Sequence, residues 1–486
     1  MKEPYFLGID IGTQGARVVL LDVSGHVVGS QEEAFALNEK SREEQSPQEW
    51  WAATERSVKA LLKEAAGQIA LTDIKAISVT STSGTVIPLD AANNPLYPAI
   101  MYSDNRSAEQ GRLCKQAAQK YHPQGYTGFN ASSGLSKMVW FGQQYPDKAQ
   151  RLRKWIHATD YIIGKLSENW GITDYTNALK SGYDVNEGFW PAYIYEQLPL
   201  KKEWLPEVVP SGTPIGHLAP ALAADWGLNS QVQIVAGMTD GCASQIASGA
   251  VNLGDWNTTI GTTLVVKGVT RTEIKDPEDR LYSHRHPEGF WMPGGASNTG
   301  ADWITQEFKA DLDELNEQAA QLIPSGYIAY PLRQEGERFP FISPQARGFE
   351  PEGLTPAQRF VANLEGVAYI ERYAFVLIEQ LSGEKVKAVY TAGGASNSDT
   401  WLTIRSNVLN RPIYKMRHVT GAVGAAILAA SKTHFNSIIE ATQALTHIEK
   451  EFRPNPALST SYEAGYQEFI RTLQEKGYIQ KDYQYA

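Results

Sequence analysis

The stretch that decides the fold is LGIDIGTQGARVVLLD, residues 7–22. An apolar run reaches Asp10, turns on glycine, and resumes as a second apolar run that ends at Asp22. Two apolar runs joined by a glycine-containing turn predict a β-hairpin, with strands at 5–10 and 16–22. Asp10 lies where the chain reverses, and this position makes it the first candidate for a functional side chain.

Length and composition limit the class of protein. A chain of 486 residues exceeds what one hydrophobic core usually supports, so we expect two domains of roughly 200 to 250 residues. With 42% hydrophobic and 20% charged residues, the composition is that of an ordinary globular protein. The formal net charge of −10 argues against a nucleic-acid partner, because no basic stripe is present. An anionic ligand would therefore need local donors or a metal ion.

The cysteine content and the N-terminal sequence bear on the compartment. Cys114 and Cys242 are too few for a disulfide framework, and the N-terminus lacks the pattern of a secretory signal. No apolar stretch is long enough to cross a bilayer, so no membrane partner is expected. We therefore predict a cytoplasmic protein. The oligomeric state stays open, with a homodimer as one option.

Strand and helix patterns alternate along the chain, which favours an α/β class. The segment WNTTIGTTLVVKGVT, residues 256–270, repeats the opening scheme of a strand, a Gly-Thr turn and an apolar strand. Each turn alone is ordinary for a hairpin. Two similar units about 250 residues apart indicate a duplicated domain.

Two further segments are rich in small residues. AVYTAGGASNSDTW, residues 388–401, is a predicted strand that ends in Gly393, Gly394 and Ala395. Small residues at a strand end allow a ligand to approach the backbone, and a following helix offers free N–H groups, so a nucleotide is expected here. A simple tight turn is the alternative. TGAVGAAILAA, residues 420–430, predicts a helix for close packing or for a hinge.

These motifs occur in the order seen in sugar kinases of the actin and hexokinase superfamily. Within it the chain resembles the FGGY carbohydrate kinases, which include glycerol kinase, xylulokinase and ribulokinase. Three more segments are similar to motifs of that family: YSDNR (102–106), LSKMVWF (135–141) and ANLEGVAYIERY (362–373). The resemblance implies an α/β fold of two actin-like, ribonuclease H-like domains with a ligand cleft between them. It divides the chain into a sugar-binding domain, 1–248, and an ATP-binding domain, 249–486.

The resemblance also assigns the catalytic groups. Asp240 in AGMTDG, residues 236–241, aligns with the family's catalytic aspartate, and a carboxylate suits the late proton transfer from an attacking hydroxyl. Asp240 can also cap a helix. Asp10 is expected to hold Mg²⁺, mainly through water, because this small cation prefers oxygen ligands. The alternative for Asp10 is a structural cap of its turn.

The implied cofactors are ATP and Mg²⁺. The turn from Gly12 to Gly15 is expected to cradle the phosphates. The turn that contains Thr262 and Thr263 is expected to contact them from the other side. In the family's adenosine loop a third glycine often stands where this chain has Ala395. Trp401 either belongs to the core or leans on the adenine. The residues expected to bind the cofactor are Gly12, Thr13, Gln14, Gly261, Thr262, Thr263, Gly300, Gly393, Gly394 and Ala395.

The acceptor side is expected in the first domain. In the loop 81–85, Ser83 and Gly84 occupy the place where the family contacts sugar hydroxyls. Asp104 and Asp240 offer carboxylates to hydroxyls, and Arg106 either orients Asp104 or binds an oxygen directly. The segment TDYTNALKSGYD, residues 173–184, resembles a segment near the family's sugar pocket. For its Asp174 and Asn177 a surface-loop position is expected, with a sugar contact as the alternative.

The resemblance implies phosphorylation of a ketopentose at its terminal hydroxyl. It places D-ribulose ahead of D-xylulose, and related ketoses or polyols follow. Glycerol kinase is less similar, because its Arg-Glu pair near the substrate is not found here. An actin-like or chaperone-like ATPase without sugar transfer, and a catalytically silent sugar sensor, are the other classes. Asp240 in its glycine turn and the YSDNR segment argue against the ATPase. The presence of both Asp10 and Asp240 argues against the sensor.

Overall fold

The computed structural model describes residues 3–308 and 312–480. It separates into two compact units. Of the described residues, the first contains 3–247 together with His284–Gly289 and His418–Thr446. The second contains Ser248–Ser283, 290–308, 312–417 and 447–480. The first unit thus takes residues from both sides of the expected boundary at 248/249, and the assignment of sugar and ATP binding to the two halves stays a prediction.

Strands are distributed along the whole chain, as an α/β class requires. They are β1 (Tyr5–Ile11), β2 (Gly15–Asp22), β3 (Val27–Ala34), β4 (Glu44–Gln45), β5 (Ile74–Ser81), β6 (Val86–Leu89), β7 (Ala99–Ile100), β8 (Lys154–His157), β9 (Ile172–Asp174), β10 (Glu207–Val209), β11 (Pro214–His217), β12 (Gln233–Thr239), β13 (Asp255–Ile260), β14 (Leu264–Gly268), β15 (Tyr282–Arg285), β16 (Trp291–Ala296), β17 (Ala388–Ala392), β18 (Ile413–Met416) and β19 (Ile448–Phe452).

Helices alternate with these strands. They are α1 (Pro47–Ala65), α2 (Ala108–Tyr121), α3 (Gly134–Gln144), α4 (Pro146–Arg151), α5 (Ala158–Ser167), α6 (Tyr175–Ala178), α7 (Tyr193–Glu196), α8 (Pro220–Trp226), α9 (Asp240–Ala247), α10 (Asp302–Glu307), α11 (Leu312–Ala320), α12 (Pro356–Ser382), α13 (Asp399–Leu409), α14 (Gly421–Ser431), α15 (Ile438–Leu445) and α16 (Pro456–Glu475). Across the part of the chain that the structure describes, none of them has the length and apolar character needed to span a membrane.

The first unit is built on a six-stranded sheet in the order β11-β12-β5-β1-β2-β3. β1 and β2 form the predicted antiparallel hairpin, and β1 continues the sheet through a parallel pairing with β5. β12 also pairs in parallel with β5. The carboxyl ends of β1, β5 and β12 therefore meet at one edge of the sheet, which is where the first candidate residues lie.

The second unit contains a seven-stranded sheet in the order β15-β16-β14-β13-β17-β18-β19. Here β13 and β14 form the antiparallel hairpin, and β13 pairs in parallel with β17. The local arrangement of a hairpin beside a parallel strand is thus the same in both sheets, as the repeated strand–Gly-Thr–strand pattern predicts. The two-domain α/β prediction is confirmed.

Helix α14 packs on the first sheet although it lies late in the chain. Every residue from Gly421 to Ser431 is buried. A Cβ built on Gly8 of β1 would lie only 1.9 Å from the carbonyl oxygen of Ala422, so the helix and the strand approach each other as closely as glycine allows. The small residues of this segment therefore serve close packing, one of its two predicted roles.

Candidate active site

Asp10 lies on β1, where it pairs in register with Arg17 of β2 and Thr80 of β5. Its side chain is buried, and its Oδ1 has no hydrogen-bond partner in the protein. A Cβ built on Gly421, the first residue of α14, would lie 2.9 Å from its Oδ2. A buried carboxylate oxygen without a partner is rare in native proteins, and it indicates a place for a ligand.

Asp10 is electrostatically coupled to Asp240. The pKa of Asp10 is raised to about 7, first by burial and second by the negative charge of Asp240, while Arg17 opposes the shift. A bound cation would stabilise two such carboxylates. Within residues 3–308 and 312–480, no three or more His, Cys, Asp or Glu side chains gather into a metal site. Mg²⁺ needs fewer protein ligands, because one or two carboxylates act together with water and substrate phosphates. The pair fits this ion.

Asp240 is the first residue of α9 and follows directly after β12. Its Oδ1 accepts the N–H of Gly241 at 2.6 Å, and its side chain is half-buried. It thus stands at the beginning of a helix, where partial positive charge from the backbone N–H groups favours a carboxylate. The position leaves the Asp240 side chain partly accessible to a ligand.

The turn from Gly12 to Gly15 connects β1 and β2. Its backbone groups are used within the protein: the N–H of Gly12 donates to Gly15 at 3.0 Å, and the carbonyl of Gln14 accepts from Phe35 at 2.8 Å. The carbonyl of Thr13 accepts from the Gln45 side chain at 2.9 Å. The amide of Gly12 closes the turn, and its role as a phosphate contact stays a prediction. The role of Thr13 and Gln14 as phosphate contacts stays a prediction.

The loop 81–85 follows β5 and carries the predicted acceptor contacts. Ser83 Oγ is buried and has no hydrogen-bond partner. Gly84 has a φ of +82°, and a Cβ there would lie 2.3 Å from the carbonyl oxygen of Ser132, so only glycine fits without strain. Thr82 and Thr85 bond to each other at 2.9 Å and brace the loop. The unpartnered hydroxyl of Ser83 is suited to a sugar hydroxyl.

Asp104 is buried and bound by Arg106. The guanidinium donates from Nε to Oδ1 at 3.0 Å and from Nη2 to Oδ2 at 2.8 Å. Arg106 is itself fixed by Glu44, 2.8 Å from Nη2, and by the ring of Trp140, whose centroid lies 4.6 Å from the guanidinium. Of the two predicted roles for Arg106, the geometry matches the orientation of Asp104. A sugar contact by either residue stays a prediction.

In the second unit, the turn between β13 and β14 contains Gly261, Thr262 and Thr263. The N–H of Gly261 donates to the carbonyl of Thr263 at 3.1 Å, and the carbonyl of Gly261 accepts from Ala301 at 2.8 Å. Gly300 packs on the same turn, since a Cβ on it would lie 2.4 Å from the carbonyl oxygen of Thr262. The side chain of Thr262 is exposed. The predicted cofactor-binding residues Gly261, Thr262, Thr263 and Gly300 therefore lie together.

Gly393, Gly394 and Ala395 follow β17 as predicted. Gly393 has a φ of +83°, and a Cβ on it would lie 2.5 Å from the carbonyl oxygen of Ile260. Ala395 is buried. A Cβ on Gly394 would meet nothing within 4 Å. The loop is thus closely packed on one side and open at Gly394.

A cavity of about 350 Å³ lies beside this loop, entirely within the second unit. It is lined by Ala301, Ile304, Thr305, Leu312, Asp313, Asn316, Phe360, Leu364, Gly394, Ala395, Asn397, Ser398 and Trp401. Its mostly apolar walls with a few polar groups are typical of a small-molecule site. Trp401 is buried, and its Nε1–H donates to the carbonyl of Leu364 at 3.1 Å, so it belongs to the core and forms an inner wall.

A larger groove of about 710 Å³ borders α12 and α16. Its charged side chains are paired with one another: Arg372 with Glu463, and Lys385 and Arg411 with Glu379. None of the predicted site residues lines it. The smaller cavity at Gly394 is therefore the better candidate for a nucleotide.

Comparison with known proteins decides the family. The N-terminal domain of the FGGY family of carbohydrate kinases matches residues 5–247, and its C-terminal domain matches residues 256–433. The chain belongs to the FGGY family of carbohydrate kinases. Members of this family are ATP-dependent phosphotransferases, so the protein is a kinase that acts on a small-molecule sugar.

Named relatives agree with the FGGY assignment over nearly the whole chain. A xylulose kinase from Staphylococcus epidermidis is 27% identical and covers 96% of both chains. A gluconokinase from Bacillus licheniformis is 26% identical and covers 88% of both. The structure of a ligand-bound xylulose kinase from Lactobacillus acidophilus matches with a TM-score of 0.83 at 24% identity, over 98% of this chain and 99% of its own. This last likeness shows the FGGY kinase fold.

The segment 173–184 does not form the expected surface loop. Asp174 and Asn177 are buried, and Asp174 caps α6 by accepting the N–H groups of Thr176 at 2.8 Å and Asn177 at 3.2 Å. Ser211 also donates to Asp174, at 3.2 Å. The expectation was wrong because this partner lies 37 residues away in sequence. An aspartate just before a helix indicates an N-cap, but it does not indicate whether the side chain is buried.

Lys137, which belongs to the LSKMVWF motif, and Glu337 are two buried charged residues to which the sequence analysis assigned no role. The Lys137 ammonium donates to the backbone carbonyls of Ala131 and Asp104 and so joins the chain segments around the acceptor loop. Glu337 accepts from Ser297, Asn298, Thr299 and Tyr330 and holds the loop that precedes Gly300. Lys137 has a sequence signal, since it interrupts the apolar run 135–141, whereas Glu337 has none.

Proposed function

We propose that the protein transfers the γ-phosphoryl group of ATP to the terminal hydroxyl of a ketopentose. The observation that carries this proposal is the coupled pair Asp10 and Asp240, of which Asp10 keeps one buried oxygen without a partner. Phosphoryl transfer requires a base near the attacking hydroxyl and positive charge at the phosphates. Two carboxylates in one unit supply the base and the metal ligand.

Asp240 is the proposed base. Its half-buried carboxylate accepts the proton of the acceptor hydroxyl as the bond to phosphorus forms, and a weak base is sufficient for this late transfer. Asp10 is the proposed ligand of Mg²⁺, which when bound would neutralise charge on the phosphates. The unpartnered Oδ1 of Asp10 and the neighbouring negative charge of Asp240 both support a cation here.

In the second unit, the proposed nucleotide site is the cavity at Gly394. Its volume of about 350 Å³ and its apolar lining suit an adenine with part of its ribose. The exposed side chain of Thr262 is a proposed phosphate contact. The cytoplasmic location, also a prediction, is consistent with an enzyme that consumes ATP.

The acceptor is proposed to be D-xylulose or D-ribulose. Sequence motifs favour D-ribulose, whereas the names of the relatives support D-xylulose and, as a second class, gluconate. A gluconate carboxylate would need a cation, but Arg106 is already engaged by Asp104 and Glu44, and Lys137 by backbone carbonyls. Neither Arg106 nor Lys137 therefore supports an acceptor that carries a carboxylate, which leaves Lys180 as the cation to test.

Lys180 offers a way to distinguish the two classes. Its Cδ lies 3.8 Å from the position that a Cβ on Gly84 would take, so the side chain runs along the acceptor loop. If gluconate is the acceptor, Lys180→Met should raise its KM by about tenfold or more, because the carboxylate loses a charged partner. If a ketopentose is the acceptor, the same variant should change its KM by less than about threefold.

The primary experiment measures ADP release with D-xylulose, D-ribulose, L-ribulose, ribitol, glycerol and gluconate. We expect one ketopentose to raise the rate far above the sugar-free background, and Asp240→Asn to lower kcat by about 10²- to 10⁴-fold. Asp147→Asn, at an exposed site on α4, is the matched control and should keep the wild-type rate. Equal ADP release without sugar, or a wild-type rate for Asp240→Asn, would contradict the proposal.

A further inference from the structure

The peptide group between Met238 and Thr239, one residue before Asp240, is held at both ends by buried threonines. Thr80 Oγ1 donates to the carbonyl of Met238 at 2.8 Å. Thr176 Oγ1 accepts the N–H of Thr239, also at 2.8 Å. This carbonyl and this N–H belong to the same planar peptide group, and both threonine side chains are fully buried. Two hydroxyls therefore fix the backbone plane from which the Asp240 segment continues.

Strand β12 is irregular just before Asp240. The register between β12 and β5 shifts between Val235 and Met238. Within the shifted part, a Cβ on Gly237 would lie 2.0 Å from the carbonyl oxygen of Val79, so the two strands are pressed together there. A register shift disturbs the regular ladder of backbone hydrogen bonds, and side chains then satisfy the backbone groups. The two threonines do this next to Asp240.

Asp174 fixes the orientation of the Thr176 hydroxyl. Asp174 Oδ1 receives the backbone N–H of Thr176 at 2.8 Å, so this oxygen is an acceptor. The Thr176 hydroxyl, 2.6 Å from the same oxygen, must therefore donate to it. Because a threonine hydroxyl has one proton, only its lone pairs remain for Thr239. The fully buried Asp174 thus makes Thr176 a dedicated acceptor.

The same carboxylate is connected to the acceptor loop. The Asn177 side-chain amide donates to Asp174 Oδ2 at 2.6 Å and to Thr159 Oγ1 at 3.3 Å. Thr159 Oγ1 bonds to Ser81 Oγ at 2.6 Å, where the loop that carries Ser83 begins. One buried network therefore connects the backbone beside Asp240 with the backbone beside Ser83.

We propose that Thr176, oriented by Asp174, is a positioning residue for Asp240, and that Thr80 holds the same peptide from the other end. This inference rests on the proposed role of Asp240 as the base. A base works only within hydrogen-bond reach of the proton that it removes, and a misplacement of about 1 Å costs about 10²-fold in rate. Thr176 touches neither sugar nor nucleotide and acts through the peptide of Thr239.

The test compares Thr176→Val, which keeps the shape but removes the acceptor, with Thr176→Ser, which keeps the hydroxyl. We expect Thr176→Val to lower kcat by about 10- to 100-fold, with KM for ATP and sugar within about threefold of wild type. Thr176→Ser should stay within about threefold in kcat. Thr54→Val is the matched control: Thr54 is also fully buried, donates to the carbonyl of Trp50 at 2.7 Å in α1, and should leave kcat unchanged.

Asp240→Asn in the same assay separates this inference from the proposed function. If Asp240→Asn is inactive and a folded Thr176→Val has wild-type kcat, the positioning role is wrong and the base assignment stands. If Asp240→Asn keeps its rate, the base assignment itself fails. Should Thr176→Val not fold, Thr80→Val decides by the same criteria, because it releases the other end of the peptide.

Amide hydrogen exchange gives a measurement that does not depend on turnover. A peptide that covers residues 238–242 should exchange at least about tenfold faster in Thr176→Val than in wild type, because the N–H of Thr239 loses its acceptor. Thr176→Ser should show wild-type exchange. Unchanged exchange in Thr176→Val would overturn the inference.

Discussion

Asp10 and Gly421 lie in contact although 411 positions separate them: a Cβ on Gly421 would lie 2.9 Å from Oδ2 of Asp10 and 3.0 Å from its Cγ. Gly421 is the first residue of α14, whose N-cap is Thr420. The beginning of a helix favours an anion, and the absence of a side chain lets the carboxylate lie against the backbone. Gly421 therefore helps to define where the Asp10 carboxylate lies.

Gly421→Ala should displace this carboxylate. We expect kcat to fall by about tenfold or more while the protein remains folded, because the added methyl group would lie inside the contact distance of Asp10. Steady-state kinetics and thermal unfolding test this. Gly142→Ala is the matched control, since Gly142 is also helical, its Cβ would meet nothing within 4 Å, and alanine favours a helix. A fully active Gly421→Ala would show that the position of Asp10 is not critical.

The fold was predictable wherever the pattern is local. The hairpin of β1 and β2 follows from two apolar runs around a glycine turn, and the second hairpin at 256–270 repeats that pattern. The association of α14 with β1 was not predictable, because it depends on the fit of small residues more than 400 positions apart. A stripe of glycine and alanine predicts close packing, but it does not show which element packs against it.

The residues of the candidate site likewise divide into those that local sequence predicts and those that depend on distant partners. Asp10 and the Gly393 loop stand out because a carboxylate and glycines at strand ends are locally conspicuous. Asp174 was expected in a surface loop, but it is buried. Its burial depends on Ser211 and on the strand that precedes Asp240, both of which are distant in sequence. Glu337 was missed because its partners at 297–299 lie about 40 residues away. Burial of a polar residue is a tertiary property that local sequence does not encode.

Asp10→Asn should separate stability from activity. Above the raised pKa of Asp10, at about pH 8.5, removal of the buried charge beside Asp240 relieves a repulsion, so the thermal midpoint measured in EDTA without nucleotide should rise by a few degrees. Turnover should fall by about 10²-fold or more, because the proposed Mg²⁺ ligand is lost. Asp147→Asn, on the exposed surface of α4, should change neither quantity. A lower midpoint in Asp10→Asn would contradict the electrostatic assignment.

Gly394→Ala tests the nucleotide site. A Cβ at this position meets no protein atom within 4 Å, so the thermal midpoint without ligand should be unchanged. If the open space belongs to ATP, the methyl group should raise KM for ATP by about 3- to 10-fold and leave KM for sugar unchanged. Gly171→Ala is the control, because it also enters open space. An unaltered KM for ATP would show that the nucleotide does not bind beside Gly394.

Lys137 should make stability depend on pH in the alkaline range. Its ammonium is buried, and burial is the main cause that lowers the pKa of Lys137 to about 8 from its usual 10.5. Between these values the unfolded chain binds more protons than the folded one, so stability rises with pH. Below about pH 8 the buried ammonium lowers the unfolding free energy by its full amount. Above about pH 10.5 Lys137 is neutral in both states, so this cost is absent.

The comparison of wild type with Lys137→Met isolates this contribution. We expect the difference in unfolding free energy, wild type minus variant, to increase by roughly 3 kcal/mol between pH 7.5 and 10.5, because one pKa unit corresponds to about 1.4 kcal/mol. Urea unfolding at a series of pH values measures it. Lys63→Met, at an exposed site on α1, is the control and should give a constant difference. A constant difference for Lys137→Met as well would show that the buried ammonium is solvated by more than the carbonyls of Ala131 and Asp104.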